Sequence, residues 1–126
     1  MKRKELLLLY KKAGWWRNGY SSRPATLDAM VRGSFCFAGA FDKGRMIGMG
    51  RCVSDGASDA YIHDVTVLPR YRRSGVGARI VGKLVEYLHA HKIEWIGLVA
   101  ERGAKRFYEE LGFKAGKGWI PMVWER

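Results

Sequence analysis

Residues 60–77 read AYIHDVTVLPRYRRSGVG, an apolar strand that runs into a basic, glycine-containing loop and then opens a helix. Val65 and Val67 alternate along the end of the strand, and Pro69 stops it, because proline has no N–H to give to a sheet ladder. Gly75 and Gly77 free the backbone N–H groups of the turn to approach an anion closely, and Arg70, Arg72 and Arg73 bring positive charge to the same place. Downstream, Val76, Ile80, Val81, Leu84, Val85 and Leu88 recur at helical spacing, so the positive N-terminal end of an amphipathic helix sits on the loop. The combination predicts an anion cradle suited to a diphosphate.

This stretch divides the chain into two kinds of organisation. Before it, the apolar periodicity predicts a helix over 4–13, with Gly14, Trp15 and Trp16 as its exit, and a shorter one over 25–32 stopped by Gly33. Two strand-like runs follow, 35–41 and 46–53, separated by the hairpin punctuation Asp42, Lys43, Gly44 and Arg45. With the strand at 60–68 they make an antiparallel meander. After Pro69 the order becomes strand, helix, strand: a long helix over 75–91 leads to an apolar run at 95–100, read as a strand buried on both faces and parallel to the one before. Ala104, Phe107, Tyr108 and Leu111 then predict a helix ended by Gly112, and 120–124 reads as a last strand. The fold class expected is mixed α/β (α+β), a central mixed sheet flanked by helices on both faces, with residues 1–126 as one domain.

Composition narrows the partners. The chain is 48% apolar and 13% aromatic, which is globular rather than disordered, and 23 basic against 12 acidic residues give a net charge of +11. That balance favours acidic partners: nucleic acid, an anionic surface or a polyphosphate ligand. Outside positions 70–79 the cations are scattered without a recognition-helix stripe, so no nucleic acid is expected as partner. The longest apolar run, 6–10, is far short of a membrane span, and no signal-peptide pattern follows the basic start; the expectation is a soluble, cytoplasmic protein without a membrane partner. Cys36 and Cys52 lie in apolar strands without ligand spacing, which reads as buried thiols and no metal.

The glycine loop is not a dinucleotide fingerprint, because Ile80 stands where the third glycine is required, and no Gly-Lys-Ser/Thr makes it a P-loop. The run Arg72-Arg73-Ser74-Gly75-Val76-Gly77 instead resembles the acyl-coenzyme A loop of the GNAT N-acetyltransferase superfamily. The approach Val65-x-Val67-x-Pro69 and the later Ala104-x-x-Phe107-Tyr108-x-x-x-Gly112-Phe113 follow in that family's order and spacing. The resemblance runs from about residue 35 to residue 113. It implies a GNAT fold and acetyl-CoA as cosubstrate. By the same resemblance the pyrophosphate lies on the amides of Arg73, Ser74, Gly75, Val76, Gly77 and Ala78, the pantetheine arm pairs with the backbone at Val65 and Val67, and Arg72, Ala104 and Phe107 complete the binding site.

Acetyl transfer to an amine needs a neutral nucleophile, a group to take its proton, and a donor for the departing thiolate. Tyr108 matches the family's tyrosine and is the candidate acid. His63, whose ordinary pKa of about 6.5 suits proton transfer near neutrality, is the candidate base, with Asp64 acting through water in reserve. Strand alternation puts His63 on one face with Tyr61, and Ile62 and Asp64 on the other. The segment is also similar to arylalkylamine N-acetyltransferases, where a histidine occupies the place of His63 and a second one stands where this chain has Tyr61. Glu101 replaces an asparagine that the family commonly places near the thiol of coenzyme A. His89 and His91 read as surface residues of the helix. Residues 10–15 and the ending Gly118-x-x-Pro121-Met122-Val123-Trp124 resemble the plant plastid and bacterial arylamine-type branch.

The function expected is transfer of an acetyl group to a primary amine of a small molecule. Trp15, Trp16, Tyr20, Tyr61, Trp119 and Trp124 offer an aromatic wall for an aromatic amine, and core packing explains most of the tryptophans equally well. A coenzyme A-binding sensor without turnover and a basic nucleic-acid-binding module stay open as alternatives. By the same resemblance the first family strand is absent or displaced in this chain, and an unpaired sheet edge invites a homodimer.

Overall fold

The first predicted helix forms as α1 (Arg3–Lys12) in a computed structural model that describes residues 2–16 and 25–125. Leu6, Leu9 and Tyr10, spaced for one helical face, are its buried residues, while Glu5 in the first turn and Lys11 and Lys12 in the last suit the helix dipole. Gly14, at φ +81°, ends it in a Schellman turn: the Trp15 N–H donates to the Tyr10 carbonyl at 3.0 Å and the Gly14 N–H to that of Lys11 at 3.1 Å. Helix α2 (Ala25–Gly33) packs beside α1 through buried Leu27, and Arg3 pairs with Asp28 between the two helices.

Strands β1 (Cys36–Asp42), β2 (Arg45–Ser54) and β3 (Asp59–Val67) form the antiparallel meander, and α3 (Val76–Ala90) carries the chain to β4 (Trp95–Leu98), which lies parallel to β3. The sheet order is β1-β2-β3-β4. Two cores cover its two faces. One packs α3 through Ile80, Val81, Leu84 and Leu88 onto Cys52, Ala60 and Ile62; the other packs α1 and α2 onto Met46, Ile47 and Met49. A mixed sheet with helices on both faces is thus what the periodicities predicted. A short helix, α4 (Lys105–Glu110), closes the described fold.

Two irregularities in β3 set up the site. Met49 faces Thr66 but Arg51 faces His63, so Asp64 and Val65 together lie opposite Gly50 in a β-bulge. Asp64 sits at φ +58°, in the left-handed region that few residues other than glycine adopt. The alternation expected on either side of it is therefore broken: Ile62 packs on the α3 side, whereas Asp64 reaches Tyr10 of α1. The second irregularity is that pairing with β4 stops at Ile62–Leu98, after which the two strands part. Gly50 has no room to spare, since a Cβ there would lie 2.8 Å from Ile80 Cγ2 and 3.0 Å from Leu84 Cδ1. Gly50→Ala is expected to cost about 1–3 kcal/mol by overpacking, read as a lower Tm in a thermal melt; an unchanged Tm would mean that α3 yields freely.

Two expectations about strands are corrected. The run at 95–100 is not buried on both faces: the strand ends at Leu98, Trp95 is 37% exposed and Val99 70%. β4 is last in the sheet order, so apolar composition here reflects an edge, not a centre. No strand forms at 120–124, where Met122 is 90% and Trp124 81% exposed. Pro121 cannot donate to a ladder and Gly118, at φ +76°, turns the chain before it, so β-prone side chains there have no described partner.

Candidate active site

Where β3 and β4 part, a cavity of about 870 Å³ opens between them. It runs from Tyr61 to Val67 along β3, past Leu98, Val99 and Glu101 after β4, to Ala104, Phe107 and Tyr108. Arg72, Arg73, Gly75, Gly77 and Ala78 line it at the N-terminus of α3, and Lys12, Ala13 and Trp15 reach it from the end of α1.

The loop that decides the fold also shapes one end of this cavity. A 3-10 turn over Pro69–Tyr71 is followed by two left-handed residues, Arg73 at φ +62° and Gly75 at φ +86°, and the helix starts at Val76. The first-turn amides of a helix have no partner within it, so the end lined by Gly75, Gly77 and Ala78 is electropositive by backbone as well as by side chain. Arg72 donates its Nε–H to the Val67 carbonyl at 2.9 Å, which ties the loop to the strand. The Phe107 ring packs beside Gly77, where a Cβ would meet its Cζ at 3.4 Å, an ordinary van der Waals distance. Of the eleven residues assigned above to coenzyme A, Ser74 and Val76 do not line the cavity. The Ser74 hydroxyl turns back to donate to the Tyr71 carbonyl, and Val76 packs against both cores.

Tyr108, on α4, and His63, on β3, both line the cavity. The Tyr108 ring is gripped edge-on by Phe107 and Phe113, at centroid distances of 4.9 and 5.7 Å. Burial, then the negative charge of Glu101, push its hydroxyl above the ordinary pKa of 10, so it stays a proton donor at neutral pH. His63 shifts the other way. Partial burial comes first and the charge of Arg51, its cross-strand neighbour, second; together they outweigh Asp64 and hold the imidazole below 6.5. A lowered pKa means that the neutral form, the one able to accept a proton, persists as pH falls until the shifted value is reached. In an NMR titration His63 is expected to show a midpoint below 6.5, with His63→Gln identifying its signal; a midpoint at or above 6.5 contradicts the environment described.

Asp64 has another occupation. Its Oδ2 accepts the Tyr10 hydroxyl at 2.6 Å and the Arg51 Nε–H at 2.7 Å, and Arg51 also donates to Ser34 Oγ at 3.3 Å. The network joins α1, β2 and β3 and pins the left-handed residue of the bulge. Sequence reasoning missed Arg51 and Tyr10, although an arginine amid the apolar strand residues of β2 is itself a signal, because a charge there requires a partner.

Trp15 lines the cavity, and its indole Nε1–H donates to Glu101 Oε1 at 2.6 Å, a bond between the exit of α1 and the exit of β4. Tyr61 does line the cavity, and behind it Trp95 and Trp119 continue a ring ladder with centroid distances of 5.1 and 6.3 Å. Trp16 belongs to the α1 core, Trp124 is exposed, and Tyr20 lies outside the described residues. His91 caps α3, its Nδ1 2.8 Å from the Tyr87 carbonyl, and His89 is exposed, both away from the cavity. Cys36 and Cys52 are free thiols that face each other across β1 and β2; burial, then Cys36, push Cys52 up to about 12. Among the described residues no cluster of His, Cys, Asp or Glu is arranged to hold a metal ion.

The chain matches known proteins along most of its length. The profile of the Acetyltransferase (GNAT) family covers residues 5–113. Histone acetyltransferase TAP1 of Glycine max is 36% identical, over 95% of this chain and 55% of its own length. The chloroplastic GCN5-related N-acetyltransferase 2 of Arabidopsis thaliana is 42% identical, over 64% of this chain and 31% of its own length. The chain thus spans only about half and about a third of these two relatives. A GNAT-family acetyltransferase structure from Streptococcus pneumoniae superposes with a TM-score of 0.78 at 27% identity, covering 100% of this chain and 92% of the other. A probable acetyltransferase from Staphylococcus aureus reaches a TM-score of 0.84 at 21% identity, covering 100% and 93%, which is agreement in fold.

Proposed function

Because the chain belongs to the GNAT family of acetyltransferases, we propose that it is an acetyl-CoA-dependent N-acetyltransferase that passes the acetyl group directly to a primary amine of a small molecule. What carries this reading is one continuous cavity that joins the basic, amide-rich start of α3 to Tyr108 and His63. The donor set fits coenzyme A: Arg72, Arg73 and the helix-end amides suit a diphosphate, and the unpaired stretch of β3 at Val65 offers backbone groups to an amide-bearing arm. In this reading residues 1–126 act as one catalytic domain.

The chemistry then follows from the two residues. His63, neutral at pH 7, takes the proton that the acceptor nitrogen sheds as its new bond to the acetyl carbon forms. Tyr108 gives its hydroxyl proton to the sulfur as the carbon–sulfur bond breaks, so a thiol leaves instead of a thiolate. Asp64, committed to Arg51 and Tyr10, serves as a positioning residue and not as the reserve base. An aromatic amine, as in the arylalkylamine branch, is supported by Tyr61 on the cavity wall. A second reading, acetylation of a lysine side chain on a protein, is favoured by the likeness to histone acetyltransferase TAP1. No helix among the described residues is long and apolar enough to cross a membrane, and with one of these relatives named as chloroplastic, a plastid stands beside the cytoplasm as the compartment.

A thiol-release assay with acetyl-CoA against aromatic amines, polyamines, amino acids and lysyl peptides tests this. Turnover with one class names the acceptor. A thermal shift with coenzyme A but no thiol release from any acceptor would leave a sensor, and no shift at all would remove the coenzyme A site; salt-sensitive binding of DNA or RNA in its place would favour the nucleic-acid module.

A further inference from the structure

We propose that Glu101, held by the indole of Trp15, is the residue that receives the acceptor amine as its ammonium ion; this rests on the acetyltransferase reading above. Two carboxylates line the cavity among the described residues, Asp64 and Glu101. Asp64 is saturated on one oxygen by Tyr10 and Arg51. Glu101 is an exposed residue at the cavity mouth, and among the described residues the one hydrogen-bond partner of its carboxylate is Trp15, on Oε1 at 2.6 Å.

Its placement gives that carboxylate a direction. Trp15 follows α1, which packs on the sheet face opposite α3, so the bond from the indole ties Glu101 to the α1 side of the cavity, whereas Gly75, Gly77 and Ala78 line it at the start of α3. An alkylamine is a cation at neutral pH and meets a chain of net charge +11, with Lys12, Arg72 and Arg73 on the same cavity. A fixed carboxylate reverses the sign locally, which gives the acceptor a reason to enter at this mouth and not at the diphosphate end. Glu101, Tyr108 and His63 line the same cavity, so an ammonium held by Glu101 shares it with the reacting groups. The captured ammonium gives its first proton to solvent, which the exposed Glu101 side chain borders, and the neutral amine then attacks while His63 takes the second proton as the new bond forms. Loss of the family's asparagine is, on this view, an exchange of a neutral donor for an anion that selects basic amines.

Glu101→Gln is the informative variant, because the amide oxygen still accepts the Trp15 N–H while the charge is gone. Steady-state rates are measured for the parent and the variant with two acceptors of matched size: ethylamine, protonated at neutral pH, and trifluoroethylamine, mostly neutral there. The expected result is a KM for ethylamine raised about tenfold, the low end for a charge-assisted hydrogen bond, with trifluoroethylamine and acetyl-CoA each within about twofold. Equal losses for both amines, or a shift confined to acetyl-CoA, would overturn the assignment and make Glu101 a structural or donor-side residue. So would full retention with ethylamine. Failure of the parent to release thiol with any amine would instead sink the acetyltransferase reading itself. A thermal melt of the variant within about 2 °C of the parent shows that the bond between Trp15 and position 101 has survived, since its loss would lower Tm by more than that.

Discussion

Tyr108→Phe is expected to lower kcat about a hundredfold while the KM for acetyl-CoA stays within about twofold, the pattern of a group that acts in the transition state. Phenylalanine keeps the edge-on packing with Phe107 and Phe113, so the fold and the binding wall survive and only the hydroxyl is lost. Tyr108 lines the cavity, which puts its side chain where a proton can pass to a departing sulfur. Burial and Glu101 both raise its pKa, so the donor form dominates through neutrality and into the alkaline range. Stopped assays of thiol release at saturating acetyl-CoA measure the effect. A variant with the parent's kcat would remove Tyr108 from the mechanism and leave protonation to water.

The largest effect on stability is expected at Arg51. Arg51→Met leaves the Asp64 carboxylate, whose side chain is 23% exposed, with the Tyr10 hydroxyl alone. Breaking a fully buried pair costs about 3–5 kcal/mol, and partial exposure of both partners brings the expected loss to about 2–3 kcal/mol. For a domain of this size that is a Tm lower by about 8 °C. Because an unpaired carboxylate causes most of the loss, the double variant Arg51→Met with Asp64→Asn should recover part of it. Activity should fall further than unfolding explains, since the same ion pair pins the bulge between His63 and Val65. A Tm within about 1 °C of the parent would mean that the pair is solvated and that the bulge holds by itself.

Local physics explains which parts of the fold are legible in the chain. Leu6, Leu9 and Tyr10, or Ile80, Leu84 and Leu88, can bury one face only as helices, and the hairpin residues at 42–45 leave no other partner for the two strands they join. Where the expectation failed, a tertiary circumstance intervened. Residues 95–100 and 120–124 have the apolar composition of inner strands, yet a strand exists only where a neighbour offers its ladder, and composition does not say whether one does. Asp64 reads as an alternating strand residue until the register of β2 against β3 forces two residues opposite one.

What the sequence alone determined is the basic glycine loop at the head of an amphipathic helix, because its elements are contiguous and their chemistry is set by residue type and spacing: arginines, a left-handed glycine, a proline stop and a helical stripe. Only the tertiary structure decided what that loop faces. His63 and Tyr108 come from β3 and α4 to line one cleft, which opens where β3 and β4 stop pairing after Ile62 and Leu98. Trp15 and Glu101, 86 positions apart, meet across its mouth, and Arg51 and Tyr10 reach Asp64 from two other elements. Such contacts are set by packing and strand register over the whole domain, which no local window of residues contains.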